Sequence, residues 1–584
     1  MTATQAAPPP TDGPAAAGWP PGLPRSLDYP LVPVGSILRA AVRRWGTRTA
    51  FVDHDVELTF EELGRRAAAV ANWLADAGIG RGDVVAVHIP NCRQYPAVYY
   101  GVVMAGAVFS PTNPLLPAAD LAAQLTDAGA TVLVTWDQVL PFVRPALAAT
   151  PVQTVVVTGE AHTLDFSARL DGLEATDVDL ADLLAADPED RRLDAAVDPA
   201  ADLAHLAYTG GTTGVSKGVE LPHRNVVTNV LQSACWTSGS LPELDEAGDV
   251  TLRQVLGEDE YPTRLGEARL INLTPWFHAM GAIGYLNGMV MGGTTTVIHM
   301  RFDPVRYVED AVRYRVTSIG GAPPVFVALL QVPGIEEADL SGVRGVSSGA
   351  APLPVPLIER LQALLPNAVI GEGYGLTEVT MQATGNPTFR SGTRRAGTVG
   401  VPVFDTEITI RPLGGGDPLP VGERGEVCIR GPQVMRGYAH RPEATAESID
   451  PDGWFHTGDV GVLDEDGYLS IVDRTKDMLL YKGYNVFPRE LEEVLFGVPG
   501  VAGAAVVGRP DEAAGELPVA YVVRRDDDAG RALTAESVMA AVNDRVTHYK
   551  RLRDVVFIDA IPVSAAGKVL KRELAARERE AAGA

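Results

Sequence analysis

Between residues 36 and 325, helical patterns alternate with short β-branched runs, among them Val84-Val-Ala-Val-His-Ile89, Thr131-Val-Leu-Val-Thr135, Thr154-Val-Val-Val157 and Thr294-Thr-Thr-Val-Ile298. Such alternation predicts α/β layering. Between residues 398 and 437 it gives way to short strands with Gly/Pro turns, such as Glu407-Ile-Thr-Ile-Arg411 and Gly425-Glu-Val-Cys-Ile-Arg430, which predicts a small β-rich subdomain. After Asp473 the chain restarts as a compact α+β pattern of about 110 residues, a sensible small domain. A chain of 584 residues is too long for a single hydrophobic core. The expected organisation is a tail over residues 1–26, a large N-terminal domain over 27–473 containing the β-rich subdomain, and a C-terminal domain over 474–584.

Residues 1–24 are Ala/Pro-rich, with no basic residue before Arg25 and no continuous apolar core, so they read as a disordered tail and not a signal peptide. The most apolar run, residues 97–110, falls short of the ~20 residues that span a bilayer. It is expected to be a buried core helix, and a lipid-like substrate would be met from solution or by weak contact with a membrane surface. The excess of 74 acidic over 49 basic residues, net −25, disfavours nucleic acid or anionic lipid as the main partner. Cys92, Cys235 and Cys428 show neither a zinc-ligand spacing nor a disulfide framework, which suits a reducing cytoplasm. Residues 241–260 carry seven acidic residues and one arginine and read as an exposed insertion.

The chemistry concentrates first in Tyr208-Thr-Gly-Gly-Thr-Thr-Gly-Val-Ser-Lys217-Gly218. From Thr209 to Gly218 it packs four glycines, four hydroxyl side chains and one lysine into ten residues, directly after an apolar stretch. Glycines let backbone N–H groups converge on phosphate oxygens, hydroxyls add uncharged donors, and the lysine offsets negative charge. The Walker A spacing fails, because Lys217 is followed by Gly218 and not by Ser or Thr. A dinucleotide fingerprint fails too: Gly497-Val-Pro-Gly500-Val-Ala-Gly503 contains a proline and has the wrong spacing.

Five further segments follow in order: Thr274-Pro-Trp-Phe-His278, Gly373-Tyr-Gly-Leu-Thr-Glu378, Trp454-Phe-His-Thr-Gly-Asp459, Ile471-Val-Asp-Arg-Thr-Lys476 and Lys482-Gly-Tyr-Asn485, with Gly567-Lys568 near the end. With the phosphate loop they resemble the AMP-forming acyl-CoA synthetase and luciferase superfamily over residues 36–574. The resemblance implies a small, mobile C-terminal domain, a hinge at Lys476, and ATP, Mg2+ and coenzyme A as partners of a small-molecule carboxylic acid. It places Thr209, Gly210, Gly211, Thr212, Thr213, Gly214 and Lys217 around the phosphates, and Gly349, Ala350, Ala351 and Gly373 beside the nucleotide. Tyr374 would stack on adenine, Thr377 contact the α-phosphate and Glu378 hold magnesium, an oxygen ligand for a hard cation. Asp459 would accept the ribose hydroxyls, with Arg474 as a second ribose and phosphate contact. His278 would border the carboxylate's entry path without acting as a base, since the substrate is already a carboxylate.

Joining a carboxylate oxygen to the α-phosphorus brings anions together, so charge neutralisation and positioning must carry that step. By resemblance Lys568 serves it, and rotation at Lys476 then presents Lys482, Gly483 and Tyr484 to CoA. Tyr208 to Gly214, His223-Arg-Asn225 and Gly431-Pro-Gln-Val-Met-Arg-Gly-Tyr438 look like bacterial fatty-acid CoA ligases, whereas Tyr549-Lys-Arg-Leu-Arg553 resembles the coumarate-type ligases. An acid pocket is expected along residues 276–286, 318–323, 347–351 and 371–373, rich in Gly and Ala, which favours a medium- or long-chain fatty acid over an aryl acid. A ligase that loads a carrier protein and a silent nucleotide-binding sensor are the other readings.

Overall fold

The protein is described by a computed structural model over residues 18–20, 22–185, 188, 191–209, 216–349, 353–563 and 569–582. The β-branched runs at 84–89, 131–135 and 154–157 form neighbouring parallel strands, Val84–His88, Val132–Trp136 and Thr154–Thr158, within an eight-stranded sheet. Their side chains are almost wholly apolar and buried, as expected of parallel strands covered on both faces. The apolar run is indeed a core helix, Gln94–Met104, buried along all but its last residue. It packs so closely on the helix Phe60–Asp76 that a Cβ at Gly101 would lie 2.5 Å from Val70. Glycine there sets the distance between the two helices.

A second sheet, of nine strands, carries Ser318–Gly321, Gly345–Ser348 and Val369–Tyr374 side by side and parallel. Register sets Gly320, Ser347 and Gly371 opposite one another, a row of small residues across three strands. The β-rich unit is a four-stranded antiparallel sheet of Glu407–Arg411, Gly425–Arg430, Phe455–Leu463 and Leu469–Arg474. It therefore continues past residue 437 up to Arg474. Beyond it, a hairpin of Val501–Asp511 and Gly515–Arg524, with the helices Pro488–Phe496 and Ala535–Asn543, encloses a separate apolar core. Lys476 lies between the last strand of one unit and the first of the next.

Two stretches differ from the expectation. Within the segment assigned to the tail, Trp19 packs edge-on against Trp236 and Phe404, Arg25 lies over the Trp19 ring, and Leu23 is buried. An aromatic side chain brings enough apolar surface to dock a Pro-rich segment that composition alone reads as disordered. The acidic stretch holds a hairpin, Ser240–Leu244 with Val250–Gln254, whose turn returns carboxylates to the helix Gly35–Trp45. Asp249, 1% exposed, pairs with Arg39 at 2.9 Å and Arg43 at 2.6 Å, while Asp245 takes Arg43. The charge run is thus partly a buried clamp. Asp249→Ala should lower stability by about 1 to 3 kcal/mol, because Arg39 and Arg43 both lose a buried partner while Asp194 still holds Arg39, and exposed Glu246→Ala should stay within about 0.5 kcal/mol. Urea denaturation of both variants measures the difference.

Candidate functional site

The strand Leu203–Thr209 turns back into Lys217–Pro222 as an antiparallel pair, with Thr209 opposite Lys217 and the Ser216 hydroxyl donating to the Thr209 carbonyl at 2.5 Å. That pairing pinches the two ends of the phosphate loop together. Gly210, Gly211, Thr212, Thr213 and Gly214 themselves lie outside the described residues, as do Ala350, Ala351 and Lys568. Tyr208 covers Gly218, and its hydroxyl donates to Asp127, which also receives Arg441.

Beside the loop, the Lys217 ammonium sits 4.7 Å from the centre of the Tyr438 ring, and the Tyr438 hydroxyl donates to Glu378 at 3.0 Å. The short strand Gly437–Tyr438 reaches this place by pairing with Lys217–Pro222, and the Met435 N–H donates to the Glu378 carbonyl. Tyr438 thus bridges two of the candidate site residues, Lys217 and Glu378. Its signal was the Gly-Tyr pair closing a motif, and the register that carries it to Lys217 is tertiary. Thr377 and Glu378 share one 3-10 turn, so the hydroxyl and the carboxylate come from a single rigid segment.

The second half of the site is built on the β-rich sheet. Asp459 and Arg474 face each other across paired strands, with Arg474 Nε 3.3 Å from one Asp459 oxygen. The Tyr374 hydroxyl donates to the other at 2.6 Å, and burial followed by this carboxylate pushes the phenol well above its usual range. Asp459 itself is 4% exposed. Asp459 lies within the strand Phe455–Leu463, at an irregularity of its pairing, and this stretch is held from three sides: the Asp459 N–H donates to Thr457 Oγ1, the Gly458 N–H to Glu426, and the Thr475 N–H to the Gly458 carbonyl. Glu426 also meets His456 Nδ1 at 3.0 Å, and the Cys428 sulfur lies 3.5 Å from the same nitrogen. These three are a group of metal-ligand type that sequence spacing did not reveal, since a strand pairing brings them together. Burial pushes the Cys428 thiol up to about 12, and Glu426, by meeting His456 and accepting the Gly458 N–H, braces the strand next to Asp459.

His278 ends the Pro275-Trp-Phe-His turn, its N–H donating to the Pro275 carbonyl and its ring 4.7 Å from that of Phe277. A π-helix, Met280–Gly288, follows directly. Gly349 lies under Met280, whose sulfur would be 3.0 Å from a Cβ there, and Gly373 pairs with Gly385. In the C-terminal unit Lys482 and Gly483 form the two-residue turn between the strands Leu479–Tyr481 and Tyr484–Val486, with φ of 49° and 81°. Both left-handed values define the hairpin turn that favours glycine, and the space around Gly483 is open. Tyr484 stacks on Tyr549 with ring centres 4.8 Å apart.

Glu372 stands beside Gly373 on the strand Val369–Tyr374. It is buried one residue before Gly373, accepts the Leu353 N–H at 2.7 Å, and has its pKa raised to about 7 by burial, against the opposing pull of that N–H and of Arg489. Because the folded value lies above the ordinary 4.5, the fold binds this proton where the unfolded chain has lost it. The stability it contributes is complete below pH 4.5 and lost as pH rises through 7. Glu372→Gln should therefore gain on the wild type by on the order of 2 kcal/mol between pH 5 and pH 8. Unfolding midpoints at the two pH values test this, and parallel losses in both proteins would refute it.

Residues 38–439 match the family described as AMP-binding enzyme, and residues 490–568 match its C-terminal domain. A long-chain-fatty-acid–CoA ligase of Bacillus subtilis is 31% identical over 97% of this chain and 98% of its own. 4-Coumarate–CoA ligase 5 of Oryza sativa is 36% identical over 89% of each. Among solved structures, ATP-bound MatB from Rhodopseudomonas palustris superposes with a TM-score of 0.80 at 28% identity, over 94% of this chain and 100% of that one.

Proposed function

Because the chain belongs to the AMP-binding enzyme family and is an adenylate-forming acyl-CoA ligase, we propose that its acid is a medium- or long-chain fatty acid, adenylated at the site described above. The observation that supports this reading is that residues from distant parts of the chain meet in two groups, Lys217 with Glu378 through Tyr438, and Asp459 with Tyr374 and Arg474. Lys217 is set beside the phosphate loop and faces the β- and γ-phosphates. Asp459 takes the ribose hydroxyls and Arg474 the ribose edge and a phosphate oxygen, while the Tyr374 ring packs on adenine.

Glu378 suits Mg2+, which takes oxygen ligands and usually one or two carboxylates plus phosphates. When bound, Mg2+ supplies neutralising charge on the phosphate oxygens. Thr377 positions the α-phosphate from the same turn, and His278 walls the path along which the carboxylate enters. The carboxylate attacks the α-phosphorus, pyrophosphate leaves, and Lys568 neutralises the charge built up in that step. Rotation about Lys476 then withdraws Lys568 and brings Lys482, Gly483 and Tyr484 to the adenylate, where the CoA thiolate displaces AMP and gives the thioester.

An aryl acid is the second reading, favoured by 36% identity to a 4-coumarate–CoA ligase. Pyrophosphate release over fatty and cinnamic-type acids, with and without CoA, decides between them. A fatty acid preferred at least about tenfold in kcat/KM supports the proposal, and preference for a cinnamic acid overturns it. Acyl-AMP without thioester would point to a carrier protein, and no pyrophosphate with any acid to a silent sensor. Lys568→Ala should cut adenylation by about 100-fold or more while thioester formation from preformed acyl-AMP stays within severalfold. Intact adenylation with lost thioester formation would reverse the assignment.

A further inference from the structure

The π-helix Met280–Gly288 and the row of small residues Gly320, Ser347 and Gly371 face each other across the pocket region. Ser347 is exposed although its strand lies between two others in the sheet interior, so the face above it is open. Into that space comes Tyr285. Its hydroxyl is 3.0 Å from Ser347 Oγ, and a Cβ on Gly320 would lie 2.0 Å from it. The ring therefore rests on Gly320 and is tied to the next strand. Its backbone is fixed as well, since the buried Trp276 donates its indole N–H to the Tyr285 carbonyl at 3.3 Å.

The wider turn of a π-helix matters here, because hydrogen bonding from i to i+5 brings residues five apart closer to one face than an α turn would. Met280 and Tyr285 are five apart. The first lies against Gly349 and the second against Gly320, so one helix edge covers two glycines of the expected pocket. Small residues on the sheet would open a deep slot, and the side chains opposite fill part of it again.

We infer that Tyr285 is the specificity residue that sets the depth of the acid pocket, through the seat of its hydroxyl on Gly320 and its bond to Ser347. The inference rests on the acid-activating role proposed above. Acids whose chain stops short of the Tyr285 ring are accommodated, and longer ones must displace it. Chain length is thus limited by one side chain, and the preferred substrate is a medium-chain acid.

The test is adenylation, measured as pyrophosphate release, with hexanoate, octanoate, dodecanoate and palmitate on the wild type, Tyr285→Ala, Tyr285→Leu and Tyr285→Phe. The wild type should prefer octanoate to palmitate. In Tyr285→Ala the palmitate-to-octanoate ratio of kcat/KM should rise at least about tenfold, with a smaller rise in Tyr285→Leu. Tyr285→Phe keeps the ring but loses the hydroxyl seated on Gly320 and bonded to Ser347, so its ratio should fall between those of the wild type and Tyr285→Leu. The KM for ATP should not move in any variant, which separates a depth change from general damage. A ratio unchanged in both Tyr285→Ala and Tyr285→Leu overturns the inference; if Tyr285→Ala does not fold, Tyr285→Leu alone decides. A wild type that adenylates none of these acids overturns the proposed fatty-acid reading itself, an outcome distinct from an active enzyme with an unmoved ratio.

Discussion

The Asp459 carboxylate is the interaction on which the proposed nucleotide face depends. It is almost fully buried, and one oxygen receives the Tyr374 hydroxyl while the other meets Arg474. A buried carboxylate without partners costs several kcal/mol, so these two contacts are conditions for its being there at all. They also tie together three strands: the end of Val369–Tyr374 in the large sheet, and Phe455–Leu463 and Leu469–Arg474 in the β-rich sheet. Without Asp459 the two sheets would lose their shared polar contact at this edge.

The same contact reaches the junction between the units. Arg474 closes the β-rich sheet, and Thr475, its neighbour, donates its N–H to the Gly458 carbonyl next to Asp459. Beneath, Glu426 holds the Gly458 N–H and His456. The residue read as the hinge, Lys476, lies in the turn that follows, where the N–H groups of Asp477 and Met478 both donate to the Arg474 carbonyl. A rigid segment directly before a pivot lets one unit rotate without disturbing the geometry of the other.

Much of the frame was legible in the sequence. The β-branched runs at 84–89, 131–135 and 154–157 are strands, and the apolar run is the helix Gln94–Met104, because both signals reflect local periodicity and burial. The change to β-rich structure near residue 400 was visible, but its extent was not, since Phe455–Leu463 joins that sheet through pairing and not through composition. Asp459 and Arg474 could be named as separate residues. Their position directly opposite one another depends on register, which a single strand does not reveal. Tyr285 fell within the expected pocket stretch 276–286, but neither its contact with Ser347 nor that of Tyr438 with Glu378 was legible, because each partner lies far away in the chain. Trp19 and Asp249 show the converse, where composition pointed to tail and solvated surface while single side chains found buried partners.

The role of Asp459 can be measured with the nucleotide alone. Binding of AMP and of 2′,3′-dideoxy-AMP to the wild type and to Asp459→Ala forms a cycle that isolates the contact between the carboxylate and the ribose hydroxyls. The wild type should prefer AMP by at least about tenfold, and Asp459→Ala should bind both nucleotides alike. A preference that survives undiminished in Asp459→Ala would show that the hydroxyls are held elsewhere and that the buried carboxylate serves only to join the sheets.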